Sequence, residues 1–161
     1  MAKFSEHINQ AKSNLNFLKS ILNSKEYWDW KVTVSFYIAV HLINAHLANK
    51  ANLHYRSHDK VDKALNPYSP ISVTKLSENN YLAYTKLQGL SRRSRYLVHD
   101  KPGNKSEDNH FTHEKHFIRA IKNLDKVLKF ISNEYKVSFD ILDIKSEYYK
   151  SKSLEYFCPV G

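Results

Sequence analysis

One long segment of this chain is apolar on nearly every side. It runs from Trp28 to Asn49 and reads WDWKVTVSFYIAVHLINAHLAN. A helix that is hydrophobic most of the way round is buried by neighbours on several sides, whereas a surface helix is apolar on one stripe only. The sequence therefore predicts a central helix with other helices packed around it.

Three further segments carry apolar residues at helical spacing on one face, which is the pattern of helices that pack against a centre. The three stripes are Phe4, Ile8, Ala11, Leu15, Leu18 and Leu22; Ala83, Leu87, Leu90 and Leu97; and Phe117, Ile121, Leu124, Leu128, Ile131 and Tyr135. A short helix is predicted from its N-cap at Ser57 to Leu65. We predict an all-α fold, an antiparallel bundle of four to five helices over residues 1–136, with a partly helical C-terminal extension at 137–161. The residues expected in the core are Leu15, Leu18, Phe36, Val40, Leu87, Leu90, Ile121, Leu124 and Leu128.

Composition narrows the class of protein. Lysine and arginine outnumber aspartate and glutamate by 25 to 16, and the resulting formal charge of +9 favours a polyanion such as nucleic acid. A single cysteine, Cys158, excludes an internal disulfide and a cysteine-based zinc site. No apolar run reaches the ~20 residues that a membrane span needs. We expect a cytoplasmic protein with no membrane partner.

The sequence contains few groups that could do chemistry. It has no glycine-rich phosphate loop, and we expect no cofactor. His110, His113 and His116 lie close together, but no acidic pair stands near them at ligand spacing, so we predict no metal site. The charged loop at 100–109 follows the second stripe-bearing segment and is expected to be exposed.

The segment from Tyr81 to His99 carries a polar column opposite its apolar stripe. Tyr81, Gln88, Arg92, Arg95 and His99 follow one another at steps of seven, four, three and four, which keeps them on one side of a helix. Histidine can move a proton near neutral pH, and arginine binds phosphate bidentately. The column therefore suits metal-independent cleavage of a phosphodiester, with a homodimer supplying a second set of groups.

The central helix also carries a polar group of residues on one face. Tyr37, His41 and Asn44 stand at i, i+4 and i+7. They form either a hydrogen-bonded notch in the core or a wall that supports the site, and the sequence leaves both interpretations open.

Three short motifs, in order, resemble the HEPN family over about residues 5–135. FYIAVHLINAHLANKA is similar to the second helix of that family, RSHDKVDKAL to the Ser-His helix start that follows, and LQGLSRRSRYLVHD to the signature helix with its Arg…His motif. The resemblance implies an all-α bundle that often forms homodimers and, in many members, an endoribonuclease of a toxin-antitoxin or defence system. It places His99 at the histidine position and leaves Arg92 or Arg93 as the motif arginine, of which the helical column favours Arg92.

The resemblance and the helical column together give His99, Arg92 and Arg95 as the predicted catalytic residues. The remaining candidates are Arg93, Gln88 and Tyr81 for RNA binding and Tyr37, His41 and Asn44 in support. The implied partners are a second copy of the chain, RNA, and a nucleotidyltransferase antitoxin. A non-catalytic HEPN module that binds nucleotide, RNA or a protein is the alternative, and a purely helical scaffold is a third interpretation.

Overall fold

The computed structural model describes residues 2–101, 103, 109–151 and 153–161. Five helices and two strands follow in chain order: α1 (Phe4–Ile21), α2 (Trp28–Ala51), α3 (His58–Leu65), α4 (Glu78–Tyr96), α5 (Glu114–Tyr135), β1 (Leu142–Lys145) and β2 (Phe157–Val160). The fold is mostly helical, as the sequence predicts. Most of the loop predicted at 100–109 lies outside the described residues.

The central position of α2 is confirmed. It packs against α1, α4 and α5, and nearly every residue from Lys31 to Leu47 is buried. Even the Lys31 side chain is fully buried, with its Nζ 3.7 Å from the centre of the Trp28 ring. The expected core residues are buried as well, except Val40, which is half-buried at the edge of the core.

The C-terminal extension differs from the prediction, because its described residues form strands where partial helix was expected. β1 and β2 pair in parallel, with Leu142 opposite Phe157. Leu142 and Ile144 are fully buried and alternate with the exposed Asp143 and Lys145, which is the two-residue period of a half-buried strand. The extension therefore contributes to the core of the bundle.

Two polar side chains of the helical part fasten the extension. The Asn23 amide donates to the Asp143 carbonyl at 2.9 Å and accepts from the Lys145 N–H at 2.9 Å, which pairs the free edge of β1. One Asp125 carboxylate oxygen accepts the backbone N–H groups of Glu155 and Tyr156, at 2.9 and 2.8 Å. These contacts hold the extension close to the α1–α2 turn and to α5.

The ends of α4 are shifted from the predicted limits. Ser77 caps its start by accepting from the Asn80 N–H, and the helix ends at Tyr96 because Leu97 adopts a left-handed conformation, with φ 54°. Leu97 is exposed, so its predicted place in the core stripe is wrong. Within the described residues, no helix is both long enough and apolar enough to span a membrane.

Candidate nucleic-acid interface

Three arginines near the end of α4 lie in three environments. Arg92 is exposed, Arg93 is buried with a relative exposure of 8%, and Arg95 is half-buried. Successive residues of a helix point about 100° apart, so neighbours in sequence face different parts of the fold. The structure thereby divides the basic end of α4 into two sides.

The buried side is the inner corner, which we define as Arg93, Asp100, Phe111 and His116. The Arg93 guanidinium donates to the Asp100 carboxylate through Nη2 at 2.9 Å and through Nε at 3.3 Å, and to the Phe111 carbonyl through Nη1 at 3.2 Å. Burial by itself would raise the pKa of Asp100, but the hydrogen bonds and charge of Arg93 outweigh it and hold that pKa below its usual value. Arg93 therefore joins the end of α4 to the chain that leads into α5.

His116 completes this corner as a neutral ring. Its Nδ1 accepts the His113 backbone N–H at 2.9 Å, which caps the start of α5. Burial, with the charge of Arg93 as a further cause, lowers the pKa of His116 to about 4. A second cation, Arg119, reaches the other Asp100 oxygen at 3.9 Å.

His99 lies beyond the end of α4, so the helical column does not extend to it. Its ring stands edge-on to His110, with 5.1 Å between centres, and its Nδ1 accepts the Lys101 backbone N–H at 3.0 Å. A neutral ring that accepts at Nδ1 carries its proton on Nε2. The chain departs from the helix because Leu97 turns left-handed and the Asp100 carbonyl then approaches Gly89, where a Cβ would lie 2.3 Å from that oxygen.

The other side of α4 is the outer face, which we define as Tyr37, His58, Arg92 and Arg95. The Arg95 guanidinium carbon is 6.0 Å from the centre of the exposed Tyr37 ring, and Arg95 Nε donates to the Ser91 carbonyl at 3.4 Å. Among the described residues, no salt bridge involves Arg92 or Arg95. Both positive charges are therefore available to an anion.

His58 belongs to this outer face, although it was not among the site residues predicted from the sequence. Its ring packs 5.2 Å from the centre of Phe36, the neighbour of Tyr37 on α2. Burial lowers the pKa of His58, the charge of Arg95 lowers it further, and Asp59 opposes the change. The Ser-His start of α3 was visible in the sequence, but its closeness to Arg95 arises only when α3 packs beside α2 and α4.

Two of the three residues of the predicted notch on α2 have hydrogen-bond partners within the protein. Asn44 donates to the Val40 carbonyl at 3.1 Å and accepts the Tyr55 N–H at 3.2 Å. His41 Nδ1 lies 3.2 Å from His7 Nδ1. His41 and Asn44 therefore form a hydrogen-bonded notch, while Tyr37 alone remains exposed as part of the outer face.

The notch contains a chain of three imidazoles, which join α1, α2 and the segment before α3. His7 uses Nδ1 toward His41 and Nε2 toward His54, the latter at 2.9 Å. Burial and the two neighbouring rings lower the pKa of His7 to about 4. Because His7 directs opposite ring atoms to its two neighbours, the three rings do not converge on one ion, and no histidine, cysteine or carboxylate group in the described ranges is arranged to hold a metal.

Of the two remaining candidates on α4, Tyr81 lies away from the arginines, whereas Gln88 stands one turn before Arg92. Tyr81 donates to the Asp62 carboxylate at 2.9 Å, and burial together with this bond raises the pKa of Tyr81 to about 12. Eleven residues separate Tyr81 from Arg92, which is roughly 16 Å along the helix axis. Gln88 is half-buried between them. The structure thus places Arg95 with Tyr37 and His58, and Arg92 one turn before Arg95 at an exposed position, apart from Tyr81.

The chemistry available on the outer face is that of phosphate recognition. A guanidinium stays charged and offers parallel donors to phosphate oxygens, and an exposed phenol ring can stack on a base.

Comparison with models of known families, with curated proteins and with solved structures gave no significant match.

Proposed function

We propose that this chain is a HEPN-type RNA-directed protein that binds the RNA backbone on the outer face. The observation that carries the proposal is the pair Arg92 and Arg95, whose charges are unmatched by any carboxylate in the described salt bridges, with Arg95 beside the exposed Tyr37 ring. The formal charge of +9 supports a polyanionic ligand. Binding of this kind releases counterions and weakens steeply with salt.

The recognition follows from the positions of the side chains. Arg95 and Arg92 would hold one or two phosphates through bidentate hydrogen bonds, which are stronger than those between neutral groups. Tyr37 would stack on the adjacent base, a contact that tolerates any sequence. Arg93 takes no part, because its donors are already bound to Asp100 and Phe111.

Metal-independent cleavage is a second candidate function, and the position of His58 favours it. A half-buried imidazole that stays neutral beside Arg95 can take the proton of a ribose 2′-hydroxyl. The 2′-oxygen would then attack the phosphorus, and the P–O5′ bond would break as an acid returns a proton to the 5′-oxygen. In a homodimer, a protonated histidine of the second copy would be that acid; His58 itself is excluded from that role, because its lowered pKa keeps its ring neutral. If the protein cleaves RNA, we propose that it acts in a toxin-antitoxin or defence system and that its partner is a nucleotidyltransferase antitoxin.

Binding is tested with a labelled single-stranded RNA followed by fluorescence anisotropy across a salt series. Arg92→Gln/Arg95→Gln should weaken binding about tenfold and reduce the slope of log K against log salt by roughly 1.4, since each lost contact removes about 0.7. Lys12→Gln/Lys19→Gln, two exposed positions on α1, is the control with the same change of charge. Equal affinities for the two double variants would refute the outer face as the binding surface.

Cleavage is tested with the same RNA by gel analysis, with His58→Ala and His99→Ala compared at equal protein concentration. Loss of a proton-transfer group removes about 10²–10⁴-fold in rate. A fall of that size for His58→Ala with intact RNA binding would establish the imidazole of the outer face. A fall in cleavage rate for His99→Ala alone would assign proton transfer to His99, the histidine of the Arg…His motif. RNA that is bound but not cut by the wild type would show that the protein is a non-catalytic binding module.

A further inference from the structure

A second polar surface lies beside α5, at the opposite end of α4 from the outer face. A groove of about 850 Å³ runs between α5, the first turn of α4 and the residues Tyr149, Ser153 and Leu154. We call it the lysine groove and define it by Lys122, Lys126, Lys129, Asn79 and Tyr149. None of these residues belongs to the site described above.

The three lysines form one column on α5. They stand at i, i+4 and i+7, which places them on one face over roughly 10 Å of the helix. Lys126 Nζ donates to the Asn79 side-chain oxygen at 3.3 Å, and Lys122 Nζ lies 5.7 Å from the centre of the Tyr149 ring. Only Lys129 has a carboxylate partner among the described ion pairs, Glu155 at 3.2 Å.

Two acidic residues also line the groove, and both are already bound to other groups. Asp125 is buried, and its carboxylate accepts the backbone N–H groups of Glu155 and Tyr156. Glu134 forms an ion pair of 2.6 Å with Lys50. Both carboxylates therefore bind other groups of the protein, while the positive charges of Lys122 and Lys126 remain available to a ligand in the groove.

We infer that the lysine groove is a second RNA contact, which takes a single-stranded segment of the same molecule that binds the outer face. The inference rests on the proposed function for the identity of the ligand. The column of lysines would follow the phosphates, and the amides of Asn79, Asn80 and Asn133, which both donate and accept, would meet base edges. An acidic protein segment would also pair with the lysines, and its backbone would also bond to the amides, so the poly-glutamate arm of the test distinguishes it from RNA.

The two surfaces are separated along α4. Asn79 stands in the first turn of that helix and Arg92 near its end, thirteen residues or roughly 20 Å apart along the axis. An RNA too short to span that distance would engage one surface at a time. A longer RNA would engage both and bind more tightly, because the second contact is then intramolecular.

The test uses the triple variant Lys122→Gln/Lys126→Gln/Lys129→Gln and, as a matched control, Lys12→Gln/Lys19→Gln/Lys25→Gln at exposed positions of α1 and the turn after it. Both remove three positive charges. Anisotropy with a single-stranded RNA of about twenty nucleotides should show a loss of tenfold or more for the groove variant. Its salt slope should fall by roughly 2, at about 0.7 for each contact. A three-nucleotide RNA, which is too short to span the roughly 20 Å between the surfaces, should show a much smaller difference, and thermal melts of both variants check that they are folded.

The outcomes separate this inference from the proposed function. Equal binding by the groove variant and its control, with a loss for Arg92→Gln/Arg95→Gln, would overturn the lysine groove and leave the outer face standing. A loss for the groove variant with none for the arginine variant would support the groove and refute the outer face. A groove variant that keeps its RNA affinity but no longer binds a poly-glutamate peptide would overturn the inference in favour of an acidic partner.

Discussion

Arg93 and Arg95 are two residues apart on α4, and their surroundings are opposite. In the inner corner, the Arg93 guanidinium is bound to the Asp100 carboxylate and the Phe111 carbonyl. On the outer face, Arg95 lies over the exposed Tyr37 ring, and no salt bridge of the described residues includes it. A basic residue in a motif is therefore not yet a binding residue. Its availability depends on whether the fold brings a carboxylate to it.

The inner corner and the outer face should respond differently when an arginine is removed. Arg93→Ala leaves the Asp100 carboxylate in a mostly buried position without its main partner, which should lower the free energy of unfolding by about 3 kcal/mol. Arg95→Ala removes a partly exposed side chain and should change it by about 0.5 kcal/mol or less. Urea unfolding followed by circular dichroism measures both values. Similar midpoints for the two variants would contradict the division of α4 into two sides.

Gly89 tests how closely the inner corner packs on α4. Alanine is better than glycine in a helix by about 1 kcal/mol, but at this position its Cβ would lie 2.3 Å from the Asp100 carbonyl oxygen. We expect Gly89→Ala to destabilise the protein by about 2 kcal/mol, the usual size of an overpacking effect. Ser13→Ala, at an exposed position of α1, should be neutral or slightly stabilising in the same unfolding assay. If Gly89→Ala were stabilising, the Asp100 backbone would have to move away from the added methyl group at little cost in free energy.

His116 should make the inner corner sensitive to acid. The unfolded ring binds a proton near pH 6.5, whereas the folded ring does so only near a pKa of about 4. Between these values the unfolded state takes up more protons, so stability is fully present above about pH 6.5 and declines as the pH falls toward 4.

His116→Gln removes this proton uptake and keeps a side-chain oxygen that can accept the His113 N–H. The unfolding free energy of the variant should therefore fall less between pH 7 and pH 4.5 than that of the wild type. Part of the decline should persist, because His7 and His46 also have pKa values near 4. An unchanged slope for His116→Gln would exclude His116 as a cause.

Hydrophobic periodicity alone determined the helical architecture of this protein. The all-round apolar character of Trp28–Asn49 identified the central helix, and the one-sided stripes identified three of its neighbours. The same spacing placed Arg92 and Arg95 together on one side of α4. These features are local, since residues three and four apart share a helix face whatever the rest of the chain does.

Tertiary structure decided which of these polar groups are free. The Arg93 contact with Phe111 spans eighteen residues, and the Asn23 contact that completes β1 spans 120. His99 left the helical column because Leu97 turns left-handed, and His58 came beside Arg95 because α3 packs near α2 and α4. Periodicity within one helix carries no information about such partners. Hydrogen bonds and ion pairs between distant segments form only where the packed helices bring those segments together, and so they determine which charges remain for a ligand.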